Sequence, residues 1–514
     1  MKNTSRIPAF QDKMIEDNTM KTHSPFFYRL ILTALLLMPL AALHAAEPKT
    51  GGSKRLDLGD GVTLEALYLP PGEFMMGSTP EEKQWATGIE GGVEVKTDKV
   101  DAIYDKGQKI TFSAQVLLEG KPVVGKKVNY LLQGDGNLKK TGSFISAEAP
   151  FKLEESLEFP GWIQVKFTVV GDDGNPLKQK DKNDKEVTLE AAIGAMVAPL
   201  EIKSTGDEPK DFDVFWKSCR KELDMIPVKA KVVKVDVPAL QQAKYECYDV
   251  KVDCAGGMPG SGYLWKPVGA NPKSLPAIVN YHSAGVRSAR DTFSHDKSCA
   301  ITFDVNAHGI ANGQPSKFYS DLSQNELKDY WSRGKNDRDK FYFKGIYMRV
   351  MRALDYVKSL PEWDGKNLIV MGVSQGGAQA IVAAALDPQV TLCLASVPAL
   401  SELSGMLAKP QRRSGWPHLF SEKDGKPDDE AVAKTVSYYD NIHFAKRIKA
   451  DIYISTGFVD NTCAPTGVFA VFNNIPATTK KFITSTPCDG HDGAPNTLGG
   501  RRLAAFFKEL KNAD

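Results

Sequence analysis

The sequence contains little cysteine and little unbalanced charge. Its seven cysteines in 514 residues are odd in number and thinly spread, which excludes a small fold held together by a disulfide framework. Lysine and arginine, 65 together, nearly balance 63 aspartates and glutamates, so a basic surface for nucleic acid is not expected. Ligand spacings typical of zinc sites and glycine loops typical of phosphate binding are also lacking. We therefore expect no metal, no cofactor and no nucleic-acid partner.

The N-terminus contains an apolar run, residues 30–43, that is too short to span a bilayer comfortably. Two basic residues, Lys21 and Arg29, precede this run, and small residues follow it. Such an arrangement is typical of a cleaved export signal. Residues 1–46 are therefore predicted to be a signal peptide, with residues 1–19 as an extension ahead of Met20. The expected location is secreted or periplasmic, without stable membrane insertion after cleavage; an uncleaved anchor is the alternative.

Residues 91–204 alternate between polar and apolar positions in short stretches separated by glycine, aspartate and asparagine. This period of two is typical of strands with one buried face. The predicted strands cover residues 109–120, 127–136, 151–161, 162–174 and 186–198. The pattern predicts an all-β, immunoglobulin-like sandwich. Its role stays open between a module that contacts carbohydrate and a packing partner for the domain that follows.

Residues 205–514 alternate between strand and helix patterns after a linker-like stretch at residues 204–209. Six stretches have strand character: residues 275–281, 300–306, 367–372, 390–398, 451–457 and 480–486. This alternation predicts an α/β fold, with a mostly parallel sheet covered by helices on both faces. Active sites of such sheets lie at the carboxyl ends of the strands.

The short strand pattern before Gly372 is followed by Val373-Ser374-Gln375-Gly376 and then by an alanine-rich helix pattern. G-x-S-x-G between a strand and a helix is the arrangement of the nucleophile elbow of α/β-hydrolases. Glycine is needed at 372 and 376 because side chains there would collide with the adjoining strand and helix. Ser374 is thus the predicted nucleophile, and a surface serine in a glycine-rich turn is the alternative.

A serine nucleophile needs a histidine base that is oriented by a carboxylate, and in α/β-hydrolases the order along the chain is Ser, acid, His. Asp460 directly follows the strand pattern at 451–457, and His491 lies in the loop after the pattern at 480–486. Both are therefore predicted at the sheet edge that carries Ser374. Alternatives remain for both roles: Asp440 or Asp489 as the acid, and His418 or His443 as the base.

Stabilising the oxyanion requires two backbone N–H groups. One is predicted to be that of Gln375, directly after the nucleophile, and the other that of Ala284, in the loop after the strand pattern at 275–281. His282 precedes the serine in the chain, so we expect it to orient this loop.

The domain from about residue 207 onward resembles the acetyl xylan esterases and cephalosporin C deacetylases of carbohydrate esterase family seven. The matching stretches are DFDVFW at 211–216, GVSQGGAQA at 372–380, GFVDNTCAPTGVFAVFNNI at 457–475 and the final histidine loop. The resemblance implies removal of acetyl groups from oligo- or polysaccharides through Ser374, Asp460 and His491. The alternatives are a broad carboxylesterase or peptidase on the same fold, or a glycan-binding protein without catalytic activity. It also implies Gln375 and Ala284 as oxyanion donors.

This sequence departs from that family in three places. Asn306-Ala307-His308-Gly309 replaces the family's R-G-Q motif, so His308 is expected to take over the structural role of that arginine. The final loop reads G-H-D instead of H-E, and the β-rich region is additional to compact members. The oligomeric state is therefore left unpredicted.

A second, shorter resemblance concerns PPGEFMMGS at residues 70–78, which is similar to the opening hairpin of formylglycine-generating domains. Only about thirty residues match, too few for an active domain of that kind. Residues 47–90 are therefore interpreted as a linker or remnant.

The two cysteines beside the predicted acid and base suggest a further hypothesis. Cys463 follows Asp460 by three residues and Cys488 precedes His491 by three. In an oxidising compartment a disulfide between them would tie the two loops together; two free thiols are the alternative.

Overall fold

The computed structural model describes residues 53–57, 63–67, 92–180, 184–237, 242, 244–290, 299–420, 427–493 and 502–509. The chain divides into two compact units, residues 1–70 and 71–514. In the first unit, β1 (Ser53–Asp57) and β2 (Thr63–Leu67) pair in antiparallel fashion. The predicted export signal and the PPGEFMMGS segment lie outside the described residues.

The second unit begins with a β-rich region, here named the β-module and defined as residues 92–197. A five-stranded sheet has the order β4-β13-β10-β7-β8, and a second sheet joins β3, β5 and β6, with β9 beside β5. The strands are β3 Gly92–Thr97, β4 Ile103–Tyr104, β5 Ile110–Leu118, β6 Lys121–Pro122, β7 Lys127–Gly134, β8 Leu138–Ile145, β9 Phe151–Glu155, β10 Gly161–Val169, β11 Lys178–Lys180, β12 Glu186–Thr188 and β13 Glu190–Val197.

Phenylalanines hold the two sheets of the β-module together. Phe151 of β9 stacks on Phe144 of β8 with ring centroids 4.0 Å apart, and Phe167 of β10 meets Phe151 edge-on at 6.5 Å. These rings come from opposite sheets, and aromatic pairs of this geometry stabilise a core beyond the area they bury. Two packed sheets are therefore present where the sequence predicted a sandwich, and the immunoglobulin-like topology stays a prediction.

The rest of the unit is built on a nine-stranded sheet of order β14-β15-β16-β18-β17-β19-β20-β21-β22. Pairings from β14 to β18 are antiparallel, and those from β18 to β22 are parallel. The strands are β14 Ala230–Val235, β15 Tyr245–Val252, β16 Gly260–Pro267, β17 Leu275–Tyr281, β18 Ile301–Asn306, β19 Trp363–Val373, β20 Leu392–Ser396, β21 Asp451–Gly457 and β22 Lys481–Thr486.

The predicted strands of the parallel part are all present, whereas β14, β15 and β16 were not among the predicted stretches. The outermost of them, β14, is mostly exposed along its length. A strand with so little burial lacks the clear apolar alternation by which strands are identified. The sheet is therefore mixed, with an antiparallel extension at one side.

Helices lie on both faces of this sheet, as its apolar strands require. They are α1 Phe212–Asp224, α2 Ser316–Gln324, α3 Tyr342–Lys358, α4 Gln375–Leu386, α5 Pro427–Val436, α6 Asn441–Phe444, α7 Pro465–Asn474 and α8 at residues 502–509. Ile278 and Ile369 pack with Phe507 of α8, while the alternate residues Val279 and Val370 belong to the larger core on the other side. The two sets of side chains lie on opposite faces of the sheet because successive residues of a strand point to opposite faces. No helix of the described residues has the length and apolar character needed to cross a membrane.

The strand registers place four loops at one edge of the sheet. Tyr281, at the end of β17, pairs with Gly372 near the end of β19, and Gly457 at the end of β21 pairs with Thr486 at the end of β22. The loops that follow these strands carry Ala284, Ser374, Asp460 and His491. The predicted site residues are thus gathered at the carboxyl ends of parallel strands, where sites of such sheets form.

Candidate active site

Ser374 lies in the sharp turn between β19 and α4. Its backbone has φ 60° and ψ −121°, a conformation that is strained for a residue with a side chain. A Cβ added at Gly376 would lie 2.2 Å from the Tyr281 carbonyl oxygen, and one at Gly372 would lie 2.3 Å from the Gly376 carbonyl carbon. The close packing predicted for both glycines is therefore present, and it holds Ser374 at the start of α4.

The imidazole of His491 lies between Ser374 and Asp460. Its Nε2 is 2.9 Å from Ser374 Oγ, and its Nδ1 is 2.8 Å from Asp460 Oδ2. A carboxylate only accepts hydrogen bonds, so Nδ1 carries the proton and Nε2 is left to accept the serine hydroxyl. The three predicted residues are brought together in the order that proton transfer requires.

Asp460 is fully buried, at 0% exposure. Its second oxygen, Oδ1, accepts the backbone N–H groups of Thr462 and Cys463, both at 2.8 Å. The Asp460 carboxylate raises the pKa of His491 above its ordinary value, against the opposing effect of burial. The acid is thus fixed by its own loop and stabilises the charged form of the base.

The alternative acid and base candidates lie in other surroundings. Asp440 caps α6 and accepts backbone N–H groups from Glu402, Leu403 and Ile442. His443 is buried and packs edge-on against Phe212 at 6.0 Å, and His418 is exposed. The backbone oxygen of Asp489 accepts the N–H of Val459 at 3.2 Å, which joins the acid loop to the histidine loop. Ser374 and His491 therefore pair with Asp460.

The two predicted oxyanion donors lie in segments next to Ser374. Gln375 is the first residue of α4, where the N–H group has no partner within the helix, and Ala284 lines the same cavity as Ser374 and His491. Tyr330, which sequence reasoning missed, connects these two elements. Its hydroxyl donates to Gln375 Oε1 at 2.7 Å and accepts the Gly285 N–H at 3.3 Å.

His308 contacts the loop that contains Ala284. Its Nε2 is 3.3 Å from the Gly285 carbonyl oxygen, and its Nδ1 is 3.0 Å from the Tyr342 hydroxyl. Because a carbonyl only accepts, Nε2 donates and Nδ1 accepts. Burial lowers the pKa of His308 to about 3, so the ring is neutral. This agrees with the structural role expected for His308. His282 is also buried, and its pKa is likewise lowered to about 3 by burial.

Ser374 lines a cavity of about 670 Å³. Its lining includes Trp416, Thr462 and two exposed arginines, Arg287 and Arg290. Volumes of this order suit a small ligand or one or two sugar units. Ser374 thus faces a space large enough for an ester substrate.

Comparison with known proteins adds to this geometry. The acetyl xylan esterase (AXE1) family model matches residues 200–509, which is more than half of the chain. This chain belongs to the acetyl xylan esterase family. The matched range contains Ser374, Asp460 and His491 and begins just after the β-module, so the family resemblance inferred from the sequence is confirmed.

Individual proteins similar to this chain are named acetyl esterases or acetyl xylan esterases. Acetyl esterase Axe7A of Xylanibacter ruminicola is 36% identical over 293 residues, covering 56% of this chain and 65% of that protein. Among solved structures, an acetyl xylan esterase from Paenibacillus sp. R4 is 28% identical, with a TM-score of 0.49, over 60% of this chain and 98% of that one. Acetyl xylan esterase 1 from Thermoanaerobacterium sp. JW/SL YS485 is 24% identical, with the same TM-score and coverage.

In this acetyl xylan esterase family member, the suggested cross-link between Cys463 and Cys488 is not formed. Both cysteines are described and both are free thiols. Cys463 is buried against the Ser374 side chain and the Trp416 backbone, and burial raises the pKa of its thiol well above the ordinary value. The disulfide hypothesis is therefore wrong for this structure, and the alternative of two free thiols is the one observed.

Asp460, Cys463 and His491 offer ligand atoms that lie within 4.8 Å of one another. Burial raises the pKa of the Cys463 thiol well above its ordinary value. The carboxylate and imidazole are already hydrogen-bonded to each other. We therefore interpret this group as a proton-transfer arrangement.

Proposed function

We propose that this protein is a serine esterase that removes acetyl groups from acetylated oligo- or polysaccharides. The observation that carries the proposal is the continuous pair of contacts from Ser374 Oγ to His491 Nε2 at 2.9 Å and from His491 Nδ1 to Asp460 Oδ2 at 2.8 Å. Membership of the acetyl xylan esterase family supports the same reaction class.

In the first half of the reaction, Ser374 Oγ attacks the acetyl carbonyl while His491 Nε2 takes its proton. The negative charge that forms on the carbonyl oxygen is stabilised by the N–H groups of Gln375 and Ala284. The tetrahedral intermediate then collapses: the bond between the carbonyl carbon and the sugar oxygen breaks, and His491 gives its proton to that oxygen. The sugar leaves as a free hydroxyl, and the acetyl group stays on Ser374. Asp460 stabilises the imidazolium throughout.

In the second half, water replaces the sugar. His491 takes a proton from this water, whose oxygen attacks the acetyl-serine carbonyl. The tetrahedral intermediate collapses, acetate leaves, and the proton returns to Ser374 Oγ. No cofactor is required by any of these steps.

A substrate panel tests the proposal. We expect acetate release from at least one acetylated polysaccharide, and a strong decline in rate from 4-nitrophenyl acetate to butyrate and longer esters. A fluorophosphonate probe should label wild-type protein, and Ser374→Ala should abolish both labelling and turnover, lowering kcat by roughly 10⁴-fold or more. A flat acyl-chain profile would instead indicate a broad carboxylesterase, and labelling of the alanine variant would contradict the nucleophile.

We also propose that the protein is exported. The support is the basic pair, the apolar run at residues 30–43 and the small residues after it. N-terminal sequencing of the protein recovered from culture medium and periplasm tests this. A mature chain that begins near residue 47 is expected, and an intact N-terminus in the cytoplasm would contradict export.

A further inference from the structure

Three residues on neighbouring strands of the β-module form one row across its five-stranded sheet. Gln164 of β10 lies opposite Gln133 of β7 on one side and opposite Gly194 of β13 on the other. Residues directly opposite one another in antiparallel strands share a face of the sheet. This row, named the Gln–Gln–Gly row, therefore belongs to a single face.

That face contacts the loop that carries Asp460. The side-chain amides of Gln133 and Gln164 both approach Asn461 Oδ1, at 3.0 and 3.3 Å. Trp162 lies two residues before Gln164 and thus on the same face. Its indole N–H donates to the Phe458 carbonyl oxygen at 2.6 Å. The β-module therefore holds the acid loop at residues on both sides of Asp460.

The β-module also contacts the loop that carries His491. The Gly194 N–H donates to the Pro487 carbonyl oxygen at 2.8 Å. A Cβ at Gly194 would lie 2.2 Å from the Phe458 carbonyl oxygen. Glycine inside a strand is typical of such close approach by another backbone. Gly194 thus lies against both loops at once.

The contact between Trp162 and Phe458 is buried, and the contacts of Gln133 and Gln164 with Asn461 are partly buried. Trp162 is 2% exposed and Gln164 is 4% exposed, while Phe458 is fully covered. Hydrogen bonds in such surroundings are costly to leave unmade, so each one restricts where the loop backbone can lie. A shift of about 1 Å in a group that supports catalysis can reduce the rate by about 100-fold.

We propose that Trp162 and the Gln–Gln–Gly row position Asp460 and His491 for the reaction, so that the β-module is part of the catalytic apparatus. The inference rests on the proposed esterase function. Trp162, Gln133, Gln164 and Gly194 are positioning residues, since they act through the two loops.

Two variants test this proposal. Trp162→Phe keeps an aromatic ring but removes the N–H that binds Phe458, and Gln133→Leu removes one of the two amides that bind Asn461. For 4-nitrophenyl acetate we expect kcat to fall by about 10- to 100-fold with KM changed by less than about twofold. The acid limb of kcat/KM should move to lower pH, because a displaced Asp460 no longer raises the pKa of His491.

Matched controls separate positioning from general stability. Trp363→Phe removes another indole N–H, which donates to the Asn367 carbonyl oxygen at 3.2 Å. This hydrogen bond lies outside both loops. Gln115→Leu removes an amide that donates to the Glu148 carbonyl oxygen at 2.6 Å in the other sheet of the β-module. Both controls should have the kcat and the pH profile of wild type, even if their melting temperatures fall as much as those of the test variants.

The outcomes are distinct. Unchanged kcat and pH profile in Trp162→Phe and Gln133→Leu, or equal losses in test and control variants, overturn the proposal. If Trp162→Phe does not fold, Gln133→Leu alone decides by the same measurements, since its side chain is only partly buried. A wild-type protein that neither hydrolyses esters nor reacts with a fluorophosphonate overturns the esterase function instead.

Discussion

The Tyr330 hydroxyl donates a hydrogen bond to Gln375 Oε1 at 2.7 Å, one residue past the candidate nucleophile. The same hydroxyl accepts the Gly285 N–H at 3.3 Å, one residue past Ala284. One buried oxygen atom thus connects the two segments whose backbone N–H groups are proposed to stabilise the oxyanion. We therefore expect Tyr330 to fix the spacing between those N–H groups without itself contacting the substrate.

Tyr330→Phe should therefore reduce both catalysis and stability. Removal of the hydroxyl leaves Gln375 Oε1 and the Gly285 N–H without this partner, which costs on the order of 1 to 3 kcal/mol. We expect kcat to fall about tenfold with KM nearly unchanged, since the loss affects the transition state. Steady-state kinetics and a thermal melt measure both effects. Tyr319→Phe, which loses a hydroxyl bonded to the Ala311 carbonyl oxygen, is the control and should retain kcat.

Much of the parallel sheet could be predicted because its strands are short apolar runs that end at turns. The strands 275–281 and 451–457 have the predicted bounds. The glycines at 372 and 376 could be predicted because a sharp strand-to-helix turn leaves no space for a side chain. The roles of Asp460 and His491 could be predicted from the order of the residues along the chain and from their positions in the loops that follow two strands.

Contacts between distant segments could not be predicted in the same way. Tyr330 approaches Gln375 across 45 residues of sequence, and Trp162 approaches Phe458 across 296. Neither contact leaves a periodic signal, because each depends on how separate elements pack. The Cys463–Cys488 hypothesis was wrong for a related reason: spacing along the chain says nothing about where the two thiols point.

The pH dependence of activity should report the contact between His491 and Asp460. His491 must be neutral to act as base, and Asp460 raises its pKa above the ordinary value of 6.5. We therefore expect kcat/KM to rise with pH, with a midpoint above 6.5. Asp460→Asn should lower kcat by about 10⁴-fold and move the remaining activity's midpoint to lower pH. A midpoint that stays in place would show that Asp460 does not set the charge of His491.

Stability should also depend on pH through Glu402. Burial raises the pKa of this carboxyl to about 7 from an ordinary value of 4.5, despite the nearby Arg412 guanidinium. A carboxyl whose pKa is raised by folding makes its full contribution below pH 4.5 and loses it as pH rises toward 7. Glu402→Gln should therefore have a higher melting temperature than wild type at pH 8 and a similar one at pH 4.5.

Glu509→Gln is the control for this measurement, because Arg502 holds the pKa of Glu509 below its ordinary value. Its removal should not raise the melting temperature at pH 8. Equal melting curves for Glu402→Gln and wild type at both pH values would contradict the role of Glu402.

Gly376→Ala should damage the site through a single methyl group. Alanine favours a helix more than glycine does, so without a collision the change would stabilise α4. The new Cβ, however, would lie 2.2 Å from the Tyr281 carbonyl oxygen, and backbone atoms cannot move aside as a side-chain tip can. We expect a loss of stability on the order of 3 kcal/mol together with a large loss of kcat, because Ser374 and the Ala284 loop shift together.

Gly260→Ala is the matched comparison, since its Cβ would meet nothing nearer than 3.4 Å, and it should leave kcat unchanged. Melting temperatures and steady-state rates of the two variants, measured side by side, decide whether the elbow depends on this contact; equal behaviour would mean that it does not.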